Sequence, residues 1–320
     1  MRYFIAGGAG FIGSHVTERL LADPGVHVTV FDNLMSGSRW HLADLADHPR
    51  LELVVGDLKE LETVVEHSRG CDHVYHFAAN PDIAKAATEP AVDFWDGTYL
   101  THHVIEACRI NRVPRLTYAS GSGVYGDQGD QGVSETFGPL FPVSTYGASK
   151  LGCEAMISAY CHMFEMNAVV FRFANVVGPR QTHGVTYDFV RRLMSDPTEL
   201  RILGDGSQSK SYIHVSDVLD AMLLLAEDGF QGFDVFNVST EDHTTVTEIA
   251  DLAVELLGLD GVTYNYTGGV RGWKGDVPVV RFDSEKIRAR GWKNRYSSRE
   301  ALADSIEQNI AEARRELAAQ

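Results

Sequence analysis

The stretch Gly7-Gly8-Ala9-Gly10-Phe11-Ile12-Gly13 decides the fold, because its glycines follow a Gly-x-x-Gly-x-x-Gly spacing directly after the apolar run Tyr3-Phe4-Ile5. An apolar, helix-patterned segment at 12–23 comes next. A strand, a glycine-rich turn and a helix in this order are typical of sites that bind the pyrophosphate of a dinucleotide. The sequence therefore predicts a dinucleotide site near its start.

Each glycine of the turn has a separate task. Gly7 allows the tight turn, Gly10 lets the backbone approach the pyrophosphate, and Gly13 lets the helix pack close to the strand. The start of that helix, at Phe11 and Ile12, offers backbone N–H groups and the positive end of the helix dipole. We expect these five residues to form the cofactor cradle.

Two acidic residues follow the second and third strand candidates. Asp32, next to Asn33, ends the second one. A carboxylate there accepts both ribose hydroxyls and repels a 2′-phosphate, so it favours NAD over NADP. Asp57-Leu58 ends the third one and is expected to face the adenine, although an ordinary turn is the alternative for Asp57.

Short β-branched runs alternate with helical stretches in the first half of the chain. Strand candidates are 2–6, 27–31, 51–55, 73–77, 115–119 and 168–172, and helix candidates are 12–23, 59–68, 91–110 and 145–164. This rhythm predicts an α/β fold of the Rossmann type, in which helices cover both faces of a doubly wound parallel sheet.

The rhythm loosens after about residue 175, and glycine-rich loops appear. We expect residues 1–175, with a return segment of about 205–240, to form the NAD-binding domain. Residues 176–204 and 241–320 would form a smaller, mixed α/β substrate domain over the carboxyl ends of the strands, where ligands bind in such sheets.

Tyr146 and Lys150 are four residues apart on a predicted helix, so they share one face. A free tyrosine has a pKa near 10. An ammonium one turn away, together with a nicotinamide cation, would favour the phenolate and bring Tyr146 toward use as a base near neutral pH. The pair therefore predicts proton transfer beside the dinucleotide.

Composition excludes several classes of protein. The formal net charge is -16, whereas broad nucleic-acid binding needs a basic surface. No stretch approaches the roughly 18 apolar residues of a membrane span, and the first apolar run is too short for a signal peptide. The four cysteines lack metal-ligand spacing, so we predict no metal and reduced thiols in the cytoplasm.

The chain as a whole resembles the extended short-chain dehydrogenase/reductases that modify nucleotide sugars, and especially the UDP-galactose (UDP-glucose) 4-epimerases. The matching pieces are Gly7 to His15, Phe31-Asp32-Asn33-Leu34, His76-Phe77-Ala78-Ala79, Val124-Tyr125-Gly126, Tyr146-Gly147-Ala148-Ser149-Lys150, Arg172 to Arg180, Gly204 to Gln208, Tyr212-Ile213-His214-Val215 and Arg271 to Val277. They run nearly from end to end.

This resemblance implies roles for further residues. Phe77, Ala78 and Ala79 would lie beside the cofactor, and Ser120, Gly121 and Ser122 beside the sugar. Asn175 would bind the diphosphate, Lys210 stands where an arginine usually contacts it, and Arg271 would be a second cation there. Val280 would line the pocket near the sugar C2 substituent, where a small residue leaves room for an acetamido group.

The chain departs from the family pattern at two places. Gly121 stands where a catalytic serine or threonine is usual, so Ser122, a water or Tyr146 itself would contact the sugar hydroxyl. Phe94 replaces an asparagine that usually precedes the Gly97-Thr98 pair. The dipeptide Ser122-Gly123 also lacks the acidic residues that sugar-nucleotide 4,6-dehydratases carry before Val-Tyr-Gly.

We therefore expect NAD-dependent epimerisation at C4 of a UDP-sugar through a 4-keto intermediate, with Tyr146, Lys150 and Ser122 as the catalytic residues. The alternatives are dehydration or 4-keto reduction on the same scaffold, or a catalytically weak sugar-nucleotide-binding protein. The resemblance also implies a homodimer formed through helices 91–110 and 145–164; the alternative is that the apolar faces of those helices belong to the core.

Overall fold

A computed structural model describes residues 1–227 and 230–318. Its centre is a seven-stranded sheet whose strands we number in chain order. They are β1 (Arg2–Ala6), β2 (His27–Asp32), β3 (Leu51–Val55), β4 (His73–His76), β5 (Arg115–Gly121), β6 (Asn167–Phe173) and β7 (Phe233–Val238). All six strands predicted from the sequence are present, and β7 is the one that the prediction left out.

The sheet order is β7-β6-β5-β4-β1-β2-β3, and β1 pairs in parallel with both β2 and β4. The chain thus builds β1 to β3 toward one edge and then crosses over β1 to build the other side. Such a reversal opens a crevice at the carboxyl ends of the central strands. The predicted Rossmann-type fold is confirmed.

Nine helices accompany the strands in the part of the chain that is described. They are α1 (Phe11–Leu21), α2 (Leu61–His67), α3 (Tyr99–Asn111), α4 (Thr145–Phe164), α5 (Val185–Ser195), α6 (Val215–Glu227), α7 (Val246–Leu257), α8 (Glu285–Arg288) and α9 (Ser298–Ala318). Short 3₁₀ turns occupy Arg39–Leu45, Ile83–Ala87 and Ser122–Tyr125, and a π-helical turn occupies Phe94–Thr98. The single helix predicted at 91–110 is therefore wrong in part, because this π turn precedes α3.

Short strands outside the main sheet form two-stranded ladders. The pairs are Asn175–Val177 with Tyr212–His214, Glu199–Ile202 with Thr263–Tyr266, Gly132–Val133 with Arg281–Phe282, and Ser209–Lys210 with Thr244–Thr245. Each of these ladders joins two segments that come after β5 or after β6 in the chain.

The chain divides into two compact units. The first unit contains 1–124, 145–172 and 219–236, and the second contains 125–144, 173–218 and 237–320. Residues 125–144 and 205–218 therefore fall in the second unit, whereas the sequence prediction placed them in the first. The reason is strand pairing, since Gly132–Val133 and Tyr212–His214 both pair within the second unit.

The first unit buries an apolar core between the sheet and its helices, with Phe4, Phe31 and Leu116 at its centre. Cys108, Cys153 and Cys161 belong to this core, and Cys71 packs against it. All four cysteines are free, and burial raises the pKa of the Cys71 and Cys161 thiols to about 12 and about 11. They serve as apolar packing residues.

The second unit has its own core, built from α5, α7 and α9 around residues such as Phe189, Ile249 and Ile306. A capping box begins α7, in which Thr245 and Glu248 bond each other's backbone N–H groups. Within residues 1–227 and 230–318, none of the helices combines the length and the apolar character needed to cross a lipid bilayer.

Two glycines with open space around them test how backbone conformation alone affects stability. Gly152 lies inside α4, and an added Cβ would meet nothing within 4 Å. We expect Gly152→Ala to raise the free energy of unfolding by about 0.5–1 kcal/mol, because alanine loses less backbone entropy in a helix.

Gly129→Ala is the matched control, since Gly129 is equally open but has a φ of +58°. Alanine is strained there, so this variant should lose about 1–2 kcal/mol. Urea unfolding of the three proteins measures both effects. A destabilised Gly152→Ala protein would contradict the open packing around this helix face.

Candidate active site

The turn between β1 and α1 is built so tightly that side chains are excluded from it. Gly7 has a φ of +81°, and an added Cβ would lie 2.6 Å from the backbone nitrogen of Ala78. At Gly13 an added Cβ would lie 2.2 Å from the Gly7 carbonyl oxygen. Both glycines are required for steric reasons, as the sequence predicted.

Helix α1 starts without a side-chain cap. Gly10 is its N-cap residue and accepts only the first helical bond, from the Ser14 N–H at 3.0 Å. The first turn, with Phe11 and Ile12, therefore presents backbone N–H groups and the positive end of the helix dipole. The nearest atom to an added Cβ at Gly10 is the Gly7 carbonyl oxygen at 3.2 Å, so a phosphate can approach this backbone.

The Asp32 carboxylate is held at the end of β2 by two backbone donors. It accepts the Ala9 N–H at 3.0 Å and the Leu34 N–H at 2.9 Å. Burial raises the pKa of Asp32, and those two hydrogen bonds oppose the rise. An added Cβ at Gly37 would lie 2.8 Å from a carboxylate oxygen, so a side chain at this position would press on the Asp32 carboxylate. The sequence prediction missed Gly37.

The other residues predicted to hold the cofactor lie at the carboxyl ends of neighbouring strands. Phe77 and Ala78 both donate their N–H groups to the Ala6 carbonyl, and Ala79 follows them. Asn33 accepts the Met35 N–H at 3.1 Å in a local turn.

Asp57 also makes a local turn, because it accepts the Lys59 N–H at 2.9 Å. Leu58 is buried, and its carbonyl contacts His103 Nδ1 at 2.9 Å. These contacts account for both residues without a ligand, so the adenine contact remains a prediction.

Helix α4 carries Tyr146 and Lys150 on one face, as predicted. The Lys150 ammonium lies 5.7 Å from the centre of the Tyr146 ring and donates to the Ala119 carbonyl at 2.7 Å. Burial lowers the pKa of Lys150 to about 8. Burial raises the pKa of Tyr146 to about 12, with smaller contributions from Asp93 and Cys153. The protein's own groups therefore oppose the phenolate, contrary to the lowering that the sequence argument assigned to Lys150.

The two serines around Gly121 have different surroundings. The Ser120 hydroxyl donates to Glu154 at 2.6 Å, and Glu154 forms a two-pronged pair with Arg172 in which both side chains are 5% exposed. The Ser120 hydroxyl is thus hydrogen-bonded to a buried ion pair. Among the described residues the Ser122 hydroxyl has no hydrogen-bond partner, so it remains free for a ligand.

The turn at Ser122–Tyr125 touches the start of α4 through two glycines. An added Cβ at Gly123 would lie 3.3 Å from the Gly147 Cα and 3.8 Å from Cδ1 of the Tyr146 ring. This approach packs Gly123, the neighbour of Ser122, against the turn of α4 that carries Tyr146. It also leaves little room for a larger residue at position 123.

Asp93 is another site residue that the sequence prediction missed. Counting three residues back from Gly97 through a regular helix gives Phe94, which is 49% exposed. The π turn at Phe94–Thr98 holds one residue more than an α-helical turn. The polar side chain directed inward is therefore Asp93, one residue earlier and 2% exposed. No feature of the sequence signals the extra residue.

In the second unit, the two cations predicted to bind phosphate meet at Asp276. Lys210 Nζ lies 2.8 Å from Asp276 Oδ1 and 5.3 Å from the centre of the Trp273 ring. Arg271 donates to the Asp276 carbonyl and pairs with Asp127 at 2.6 Å. Both cations are thus held by carboxylates, and the sequence prediction did not include Asp276 or Asp127 among the site residues.

The remaining predicted residues of the second unit lie on adjacent short strands. The Asn175 side chain hydrogen-bonds the Tyr212 hydroxyl, and burial raises the pKa of Tyr212. Val280 donates its N–H to the Ser209 carbonyl at 3.4 Å, next to Lys210. Asn175 thus pairs with Tyr212, two residues after Lys210, and Val280 contacts Ser209, the residue before Lys210.

This fold and these residues match a known family. Residues 3–239 match the NAD dependent epimerase/dehydratase family, and the chain belongs to it. The glycine turn, the uncapped start of α1 and the Asp32 carboxylate fit a dinucleotide. The match confirms the resemblance to nucleotide-sugar-modifying enzymes that the sequence showed, and it confirms the predicted cofactor, NAD.

Similar proteins include both epimerases and dehydratases. The UDP-glucose 4-epimerase of Mycolicibacterium smegmatis is 29% identical over 314 residues, which cover 96% of this chain and 98% of that one. A crystal structure of a UDP-galactose 4-epimerase is 36% identical with a TM-score of 0.85, and covers 98% of this chain and 99% of that one. A dTDP-glucose 4,6-dehydratase from Streptomyces venezuelae, solved with NAD bound, is 28% identical with a TM-score of 0.90 and covers 98% of both chains.

Asp32 provides the sharpest test of cofactor choice. We expect Asp32→Ala to weaken NAD binding by more than about tenfold, because a charged acceptor for the ribose hydroxyls is lost. Isothermal titration of NAD and NADP into cofactor-stripped protein measures the change, and Asp57→Ala serves as a control with a smaller effect. Equal affinities of the unmodified protein for NAD and NADP would contradict the assignment.

Proposed function

We propose that the protein is a UDP-sugar 4-epimerase that interconverts sugars of the UDP-glucose/UDP-galactose type. Dehydratases resemble the chain as closely as epimerases do, so overall similarity does not select the reaction. The selection rests on the residues that face Tyr146.

The observation that carries the proposal is the pair Ser122-Gly123. Removing water from a 4-keto sugar needs an acid and a base beyond the tyrosine, and neither residue can supply one. The close approach of Gly123 to Gly147 adds a steric reason, since a carboxylate side chain at 123 would press on the backbone of α4. Oxidation and re-reduction at C4 need only one proton-transferring group, which supports epimerisation.

In this mechanism Tyr146 acts in its ionised form: the phenolate takes the proton of the C4 hydroxyl while a hydride leaves C4, and later returns that proton to the C4 oxygen. The glycine turn and Asp32 would hold NAD, which would supply the hydride acceptor and donor for the two transfers. Ser122 holds the C4 oxygen by a hydrogen bond, and Lys150 supplies positive charge next to Tyr146. Between the two transfers the 4-keto sugar turns to present its other face.

The second unit offers groups suited to the diphosphate of a nucleotide sugar. Lys210 and Arg271 carry the positive charge that a diphosphate requires, and Asn175 can donate a hydrogen bond. A diphosphate would compete with Asp276 and Asp127 for these cations. Val280 is small, so we propose that the site accepts N-acetylhexosamines as well as hexoses.

We also propose a homodimer that forms through the π turn, α3 and α4. Apolar side chains that a monomer would leave in water support it. They are Trp95 at 50%, Ile110 at 45%, Met163 at 70% and Phe164 at 41% exposure. Burial of such a patch against a second copy would remove it from water.

The proposal is tested by incubating the protein with UDP-glucose and with dTDP-glucose and analysing the products by mass spectrometry and chromatography. Epimerisation leaves the mass unchanged and yields UDP-galactose, whereas dehydration removes one water. We expect Tyr146→Phe to lose roughly 10²–10⁴ in rate while it retains substrate affinity, because only the proton-transferring group is removed. A product lighter by one water, or a Phe variant with more than about half of the wild-type rate, would overturn the proposal.

The two serines yield a matched pair of variants. Ser122→Ala should lower kcat by about tenfold or more without changing the thermal midpoint, since it removes a free hydroxyl beside the substrate. Ser120→Ala should mainly destabilise the protein, by about 1–3 kcal/mol, because Glu154 loses a buried donor. Rates and thermal unfolding are measured for both. The opposite pattern would assign the sugar contact to Ser120.

A further inference from the structure

Asp93 forms a buried network that the proposed mechanism does not use. Its Oδ1 accepts the Asn80 side-chain amide at 2.9 Å, and its Oδ2 accepts the Thr145 hydroxyl at 2.7 Å. Its main-chain carbonyl accepts the Ser149 hydroxyl at 2.8 Å. Thr145 and Ser149 belong to the first turns of α4, on either side of Tyr146. One residue thus fixes the part of the helix that carries the phenol.

The π turn explains why a carboxylate reaches this place. Its extra residue turns Phe94 outward and leaves Asp93 directed at α4. Asp96, within the turn, behaves differently, because its side chain is half-buried and pairs with Lys59 at 2.6 Å. The two acidic residues, three positions apart, therefore have different partners, Thr145 of α4 for Asp93 and Lys59 for Asp96.

Several charged or titratable groups surround the pair Tyr146 and Lys150. Lys150, Cys153 and Glu154 lie on α4 itself, Asp93 lies before the π turn, His76 lies on β4 and Tyr118 lies on β5. Burial raises the pKa of the Tyr146 phenol, with further contributions from Asp93 and Cys153, and Asp93 also opposes the lowering of the Lys150 pKa by burial. The Asp93 charge therefore stabilises both the neutral phenol and the ammonium.

We propose that Asp93 is a positioning residue that fixes the first turn of α4 through Thr145 and Ser149 and, by its negative charge, keeps Tyr146 in the phenol form. The inference rests on the proposed role of Tyr146 in proton transfer. It assigns to Asp93 a task that an asparagine at the same place performs only in part, since the amide oxygen accepts from Asn80 and the amide NH2 group donates to the Thr145 hydroxyl, but the charge is absent.

The test compares the protonation of Tyr146 in three proteins. Carbon-13 at the tyrosine Cζ reports the phenolate by NMR, and loss of one signal in Tyr146→Phe assigns it among the 12 tyrosines. At about pH 10.5, Asp93→Asn should show a phenolate-to-phenol ratio for Tyr146 that is about threefold larger than that of the wild type. Asp96→Asn is the control: it also removes one negative charge, three residues away within the π turn, and should leave the ratio unchanged.

Equal ratios in Asp93→Asn and wild type would overturn the inference, and so would an equal rise in Asp96→Asn. Thr145→Val is the second test variant and is used if Asp93→Asn does not fold. It removes the hydrogen bond between Thr145 and Asp93 and keeps the Asp93 charge. Its ratio should not exceed that of the wild type, and a rise would show that the hydrogen bond rather than the charge protects the phenol. The NMR readout needs no substrate, so it stays informative even if the epimerase assay fails.

Discussion

The candidate active site depends on the way in which α4 is held against the sheet. Tyr146, Lys150 and Glu154 are four residues apart and share one helix face. Glu154 is bound by Arg172 of β6 and Ser120 of β5, and Lys150 donates to a carbonyl of β5. Loss of one partner from a buried ion pair costs about 3–5 kcal/mol, so the helix cannot slide without a large penalty. The position of the phenol is thus fixed by a contact two turns away from it.

The cofactor end of the sheet is fixed in a different way, by backbone rather than by side chains. At Gly7, Gly13 and Gly37 any side chain would strike backbone or carboxylate atoms. The helix start and the Asp32 carboxylate are then left facing the same crevice at the carboxyl ends of the strands. A cradle of this kind requires particular residue types at particular spacings, and it can therefore be recognised in the sequence.

The same contrast explains which features the sequence could predict. The strands, α4 and the glycine turn follow from local patterns, and the structure contains them. Asp93 was missed because a π turn shifts the register by one residue and leaves no local signal. The pairing of Lys210 with Asp276 and of Ser120 with Glu154 was missed because those partners are 66 and 34 residues apart. Contacts over such distances depend on tertiary structure, which periodicity does not encode.

Charge balance links these features to the chemistry. The Asp93 carboxylate and the Lys150 ammonium offset each other near Tyr146, so a phenolate would leave an uncompensated negative charge in a buried place. Burial also lowers the pKa of Lys150 to about 8, so the ammonium loses its proton as the pH rises toward the range in which a phenol ionises. The protein's own groups therefore keep Tyr146 protonated across the neutral range. Tyr146 would ionise more readily with a further positive charge beside it, which an oxidised nicotinamide would supply.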